Sequence, residues 1–171
     1  MKGLLKGLGY LLGVIVLLVA GTLVGARFAD GPLEIIAGGP FTTGTPATSE
    51  PDWSFAKDYN TVEFQLMDPA ASRTTWLAVH EGRVFIPSGY MTTWWGKIWK
   101  QWPIQAQKDN RAILRVDDTL YSRRLVRITE GPEIEPVLAE LSRKYAGGNS
   151  IPITAVDSNY MWIFELVPDN Q

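Results

Sequence analysis

Five arginines, Arg111, Arg115, Arg123, Arg124 and Arg127, fall within 17 residues of one another. A guanidinium presents a planar fork of donors that grips a phosphate or carboxylate through two parallel bonds, so this density suits an anionic ligand. Alternate residues of a strand share a face, which puts Arg123 and Arg127 on one side and Arg124 on the other, with Arg115 across from one of them. A second constellation, Ser72-Arg73-Thr74-Thr75, brings one cation and three hydroxyls to a strand start. Each has a plainer alternative. The arginines can pair with Asp109, Asp117, Asp118 and Glu165 on a solvated sheet face, and the hydroxyls can bond to the backbone of a local turn.

The composition excludes several chemistries. The 171 residues include no cysteine, which removes disulfides, thiolate catalysis and cysteine-ligated metals. The single histidine, His80, cannot build a multi-histidine metal site, and as a general acid it would need a partner that the sequence does not identify. No catalytic residue and no metal ligand set is assigned. With 16 basic and 18 acidic residues, the net charge of -2 gives no electrostatic case for nucleic acid.

A third group is aromatic. Trp94, Trp95, Trp99 and Trp102 stand beside Lys97 and Lys100. Such a segment could stack on a flat ligand. It could also lie at a bilayer interface with indoles among the headgroups, or form core plus a docking face for a partner subunit. Interface or docking is favoured over a ligand, since a ligand site rarely needs four tryptophans. On one helix at 100° per residue, Trp95, Trp99 and Trp102 cluster and would pack inward, leaving Trp94 outside beside Lys97.

The elements that must position these groups follow in chain order. Residues 8–26 carry no charge, and nineteen helical residues cover roughly 28 Å, about the hydrocarbon thickness of a bilayer. Lys2 and Lys6 precede this run, which places the N-terminus in the cytoplasm and the remainder outside it. The alternative is a cleaved signal peptide ending at Val24-Gly-Ala26, but the apolar run exceeds the usual signal core, and a retained anchor is favoured. Gly9-x-x-x-Gly13 and Gly21-x-x-x-Gly25 could let another helix approach. The division expected is an anchor over residues 1–29, a Gly/Pro-rich irregular tether over 30–60, and one domain over 61–171. In a bacterium the protein would be a single-pass inner-membrane protein with a periplasmic C-terminal domain. The tether is read as wrapping the domain or the membrane face, with Ile35 and Ile36 packing down and Trp53 and Phe55 as its anchors.

Within the domain, Thr61–Met67 alternates as a strand, Asp68–Ser72 reads as a turn, and a hairpin over Arg73–Pro87 turns at His80-Glu-Gly82. Residues 91–108 read as partly helical, with Pro103 starting a new turn. A second hairpin over Arg111–Arg127 turns at Asp117-Asp118. Pro132–Tyr145 has a helical apolar face of Ile134, Val137, Leu138, Leu141 and Tyr145, with Glu140 and Lys144 paired outside and Gly147-Gly148 as the stop. Tyr160–Val167 reads as a strand buried on both faces.

Trp102–Val116 looks like a helix that ends in a polar turn and enters a strand. Leu120–Ile128 looks like the return strand, and Pro136–Tyr145 like the helix after it. In this order the chain, over roughly residues 60–165, resembles the pyridoxamine-phosphate-oxidase-like and deazaflavin-dependent nitroreductase-like flavoproteins. Where deazaflavin-dependent members carry a Gly-Arg-Lys-type phosphate loop, this chain has His80-Glu-Gly82 followed by Arg83. The resemblance implies an α+β domain, an antiparallel split β-barrel with two or three helices, behind the transmembrane helix. It also implies that a flavin (FMN or deazaflavin), if one is bound, is held through its phosphate by Arg73, Thr74, Thr75, Arg115, Arg123 and Arg127.

Two functions remain open. The favoured one is an accessory or scaffold subunit of a membrane protein complex, anchored through residues 8–26, with Trp94, Trp95, Lys97, Trp99 and Lys100 facing a partner or the membrane. The alternative is a flavin- or deazaflavin-dependent oxidoreductase, or a cofactor binder, on the split barrel.

Overall fold

The computed structural model describes residues 2–169. A single helix, α1 (Lys2–Ala26), opens the chain. It is long and apolar enough to cross a membrane, and its apolar span is exposed, while Ala26 at its foot is buried. Strands β1 (Thr45–Pro46), β2 (Val62–Met67), β3 (Ala70–Thr75), β4 (Ala78–His80) and β5 (Arg83–Ser88) follow. Two short helices, α2 (Trp94–Trp99) and α3 (Trp102–Lys108), lead to β6 (Arg111–Val116) and β7 (Thr119–Ile128). Helices α4 (Ile134–Tyr145) and α5 (Thr154–Asp157) precede the closing strand β8 (Trp162–Pro168). The sheet order is β3-β2-β6-β7-β8-β5-β4. Every pairing along it is antiparallel, and β1 adds a short parallel pairing to β7. The sheet curls into a half-barrel, so the fold is an antiparallel split β-barrel behind an N-terminal apolar helix.

Alternation along the strands makes two cores. Phe64 and Leu66 of β2, Leu114 of β6, Leu125 of β7 and Phe164 of β8 point into the barrel, where Trp102 of α3 closes one end. Phe85, Ile128 and Ile163, of opposite parity, face outward and bury the Ile134, Val137, Leu138 and Leu141 stripe of α4. The β6–β7 hairpin turns at Asp117-Asp118, both with left-handed φ (48° and 60°), as a two-residue turn that matches strand twist requires.

The two edge strands of the barrel, β3 and β4, are joined by Trp76-Leu77 alone. Leu77 is fully buried in this seam, so its backbone needs partners that no strand supplies. The end of α4 supplies them. The Leu77 amide donates to the Tyr145 hydroxyl (3.2 Å), which itself reaches the carbonyls of Asn60 and Leu77 (2.8 and 2.9 Å). Lys144 Nζ donates to the carbonyls of Tyr59 and Leu77 (2.5 and 3.0 Å).

Several local expectations are corrected here. Arg73–Thr75 do not open the β4–β5 hairpin; they lie in β3, paired with β2, and Arg73 stands opposite Phe64. The turn before them is Asp68-Pro69, with a cis peptide, and Ala70–Ser72 are already strand. Glu140 pairs with Arg143 (2.7 Å) instead of Lys144, because Lys144 is drawn into the seam. The closing strand is buried on both faces, through Phe164 and Leu166 on one and Ile163 on the other, but Trp162 at its start is only half-buried. Ile35 projects into solvent, and of the two tether aromatics only Trp53 is buried.

Replacing Tyr145 by Phe keeps its stacking on Trp76, where the rings lie 4.6 Å apart at an interplanar angle of 5°. It leaves the buried Leu77 amide unpaired. The change is expected to cost about 1–3 kcal/mol, measured by chemical denaturation of the detergent-solubilised protein. Wild-type stability in this variant would show that the seam is hydrated and does not depend on α4.

Candidate functional site

The arginines are the charged groups around which any site must be built, and the fold distributes them. Arg115 lies on the outer face of β6, opposite Glu63 of β2. Its Nε donates to Glu63 Oε2 (2.8 Å), its Nη1 to the Asp30 carboxylate (3.2 Å), and its guanidinium lies 4.1 Å over the Phe41 ring. Asp30 also accepts from the amides of Thr42 and Thr43 and from the Thr43 hydroxyl. The Thr43 hydroxyl above all, then the Thr42 amide, holds the Asp30 carboxyl well below the usual carboxylate range, and the Arg115 charge adds less. Gly31 follows with φ 91°, and the Arg115 guanidinium occupies the place its Cβ would need. Thr74 and Arg115 share an open cavity of about 590 Å3 with Asp30, Glu34, Glu63, Asp117 and Asp118. Five carboxylates around one guanidinium make this an acidic surface.

Arg123 points into the barrel and is 1% exposed. Glu50 of the tether places a carboxylate oxygen 2.7 Å from Nη2, out of line with its N–H bonds, so that none of the three guanidinium nitrogens makes an aligned hydrogen bond. The cation instead rests against the rings of Trp53 (5.0 Å) and Tyr121 (5.4 Å). The other Glu50 oxygen accepts from Trp53 Nε1 at 2.7 Å. One carboxylate thus orients both the buried cation and the indole that covers it.

Arg127 lies at the other end of the barrel, 3.8 Å over the Trp162 ring, with Asn159 accepting from one terminal nitrogen. Burial lowers its pKa. Its Nε and the nearby Trp162 Nε1 are buried without partners. Arg127 borders a cavity of about 700 Å3 with Lys108, Arg111, Arg124, Leu125 and Phe164. Arg111 there is held by Asp109, whose carboxyl the Arg111 hydrogen bond lowers to about 2. Arg124 is held by Asp169 at 2.9 Å.

Arg73 sits on the inner face of β3. Its closest polar contacts are long ones to the Ala71 carbonyl and to Gln105 Oε1 of α3, both 3.5 Å. No carboxylate among the described residues pairs with it. Burial brings its pKa down to about 10, and the like charge of Arg27, at the foot of α1, adds to this. Thr75 shares the inner face of β3, and Thr74 takes the outer face. The six residues read from the sequence as one phosphate cradle therefore stand in four places. Arg73 with Thr75, Arg115 with Thr74, Arg123 and Arg127 are separate; among the described residues neither Arg73 nor Arg127 has a carboxylate partner, and the hydrogen bonds of Arg73 are long. His80 lies 3.8 Å from Glu81 at the β4–β5 turn.

The tryptophan segment differs from its expected packing. Lys100 leaves helical conformation (φ -102°, ψ 73°), so α2 ends there and Trp102 with Pro103 begins a second helix. Trp102 alone enters the core, 5.0 Å from Phe64. In α2 it is Gly96 that seats the helix, against the Tyr90 carbonyl, where no Cβ fits. Thr93 caps it by accepting from the Gly96 amide at 3.0 Å. Trp94, Trp95, Ile98 and Trp99 are turned away from the body and are 76%, 42%, 70% and 69% exposed. Trp95 leans on Tyr90 (4.6 Å). Lys97 is exposed, and Lys100, whose pKa burial lowers, lies 5.8 Å over the Tyr90 ring.

Asp30 and Glu50, the residues that fix the tether, were not singled out in the sequence, because each meets its arginine across more than 70 residues of chain. No protein-family model matches the chain, and no curated protein does. Among solved structures, one that matches is the conserved hypothetical protein Rv2991 from Mycobacterium tuberculosis, 14% identical with a TM-score of 0.48, over 77% of this chain and 86% of that one. Another is a pyridoxamine 5'-phosphate oxidase-like protein from Listeria innocua, 10% identical with a TM-score of 0.45, over 68% of this chain and 90% of that one. Both likenesses are of overall fold.

Glu50→Ala would leave the Arg123 cation buried with no counter-charge. Because Glu50 itself is half-exposed, the loss is expected near the lower end of the roughly 3–5 kcal/mol typical of broken buried pairs. Glu50→Ala combined with Arg123→Met should recover most of it. Equal stabilities of the single and double variants in urea titrations would show that water already solvates Arg123.

Proposed function

We propose that the chain is a single-pass protein of the bacterial inner membrane whose split barrel stands in the periplasm as an accessory or scaffold subunit of a membrane protein complex. The observation that carries this reading is the attachment of the tether. Residues 27–56 are fastened to the barrel at the Asp30–Arg115–Glu63 cluster, the Gly38–Ser72 bridge, the Thr45–Thr119 pairing and the Glu50–Arg123 contact. A barrel fastened this way keeps one pose relative to its anchor, which is what a scaffold needs. The lysine bias before α1 supports the orientation. In gently solubilised native membranes, the full chain is expected to migrate as part of a larger assembly that chemical cross-linking preserves. It is also expected to carry a C-terminal reporter that works only outside the cytoplasm. A free monomer in native membranes, or a reporter active only in the cytoplasm, would overturn this assignment.

The flavin reading keeps one supporting observation, the Arg73 guanidinium with no carboxylate partner. Arg73 beside Thr75 would hold the phosphate, and the cofactor would supply electron transfer. Titration of the full chain in detergent with FMN and with deazaflavin, at low and physiological salt, tests it. Saturable binding abolished by Arg73→Glu is the expected result under this reading, and no saturable binding by the wild type would end it.

A further inference from the structure

An exposed apolar helix is costly in water unless something covers it. Helix α2 exposes three indoles and an isoleucine on the side away from its Gly96 seat. What covers them can be argued from where α2 lies and from its charge.

The foot of α1 is connected to the α2–α3 layer through a short series of contacts. Gly39 packs so closely on the chain just beyond α1 that a Cβ there would stand 2.5 Å from the Arg27 carbonyl oxygen. Ser72 Oγ donates to the Gly39 carbonyl at 2.6 Å. The next residue, Arg73, reaches Gln105 in the middle of α3, and only Lys100 and Gln101 separate α3 from α2. The aromatic helix is thus linked to the foot of the anchor through α3 and β3. Two further apolar side chains close to the anchor in sequence, Phe28 and Ile35, are also exposed, at 86% and 83%. Residues 91–108 contain Lys97, Lys100 and Lys108 and no aspartate or glutamate. Indoles flanked by lysines, with no acid among them, have the chemistry that settles among lipid headgroups.

We infer that α2 is a second membrane contact, lying in the headgroup layer of the bilayer that α1 crosses, with Trp94, Trp95, Ile98 and Trp99 immersed and Lys97 on anionic lipid phosphates. This rests on the reading of α1 as a retained span. Arg27, exposed just beyond α1 and without a carboxylate partner among the described residues, adds to the attraction for an anionic surface. The barrel then rests against the membrane on two supports, a helix that crosses it and a helix that lies in it.

The test places the full chain in nanodiscs of phosphatidylglycerol and phosphatidylcholine whose acyl chains are brominated near the headgroups. The bromolipid should quench much of the tryptophan emission, and aqueous acrylamide should quench little of it beyond the half-buried indoles. Trp94→Ser with Trp99→Ser should remove most of the bromolipid quenching without lowering the melting temperature, since both side chains are exposed. Lys97→Glu should weaken the quenching in discs containing phosphatidylglycerol and leave it unchanged in pure phosphatidylcholine. If α2 is instead a docking face for a protein, the wild-type indoles in these discs will be quenched by acrylamide and untouched by bromolipid, and the inference fails. Retention in the membrane fraction after alkaline carbonate reports on α1 separately. Retention without bromolipid quenching refutes only the second contact, and release by carbonate refutes the anchor and the inference together.

Discussion

A buried arginine fixes more of this molecule than any other single group. Desolvating the Arg123 guanidinium inside a barrel carries a large penalty, and the fold offsets it with one carboxylate and two aromatic faces. The carboxylate and one of those faces come from the tether. The tether segment around Glu50 and Trp53 therefore cannot detach without stranding a charge in an apolar interior. The Arg115 cluster repeats this arrangement at the outer surface with Asp30, nearer the anchor. Between these two points the chain runs past β3 and β7 and borrows hydrogen bonds from both. What reads in composition as a loose Gly/Pro/Thr-rich stretch is, in the fold, an ordered strap.

Two ionic contacts of this kind account for most of the dispersal of the arginines. An arginine with its carboxylate in place has little left to offer a ligand phosphate. Arg115, Arg123 and Arg124 are committed in this sense, and Arg127 is occupied by Trp162 and Asn159. Arg73 differs because its strand sits at the edge of the sheet beside the chain that follows α1, where Arg27 adds a like charge.

Regular elements with strong local signals were legible in the sequence. The uncharged run of α1, the alternation of β6 and β7 about Asp117-Asp118, and the apolar stripe of α4 each follow from residue order alone. Strand β3 was not, because Ala70-Ala71-Ser72 has no β-branched residue, and pairing with β2 makes it a strand. The α2–α3 break was half legible: Pro103 marks it, but the spacing of Trp95, Trp99 and Trp102 suggests one continuous helix. Only the close seat of Gly96 turns the indoles outward, and a close seat is a tertiary fact. The candidate site was legible as a set of residue types and not as a place, because the carboxylates that engage Arg115 and Arg123 lie 85, 52 and 73 positions away in the chain.

The strap also sets the range over which the protein can act. A flexible linker of some thirty residues would let a domain sample a hemisphere tens of ångströms across, since reach grows with the square root of length. Here that length is consumed against the barrel, so that, under the proposed anchoring by α1, the working height above the lipid is nearly constant. Encounters are then confined to a thin layer, and search becomes lateral diffusion in two dimensions, with partners held in the same plane at high local concentration. A soluble protein deeper in the compartment would have to come to the membrane to be met.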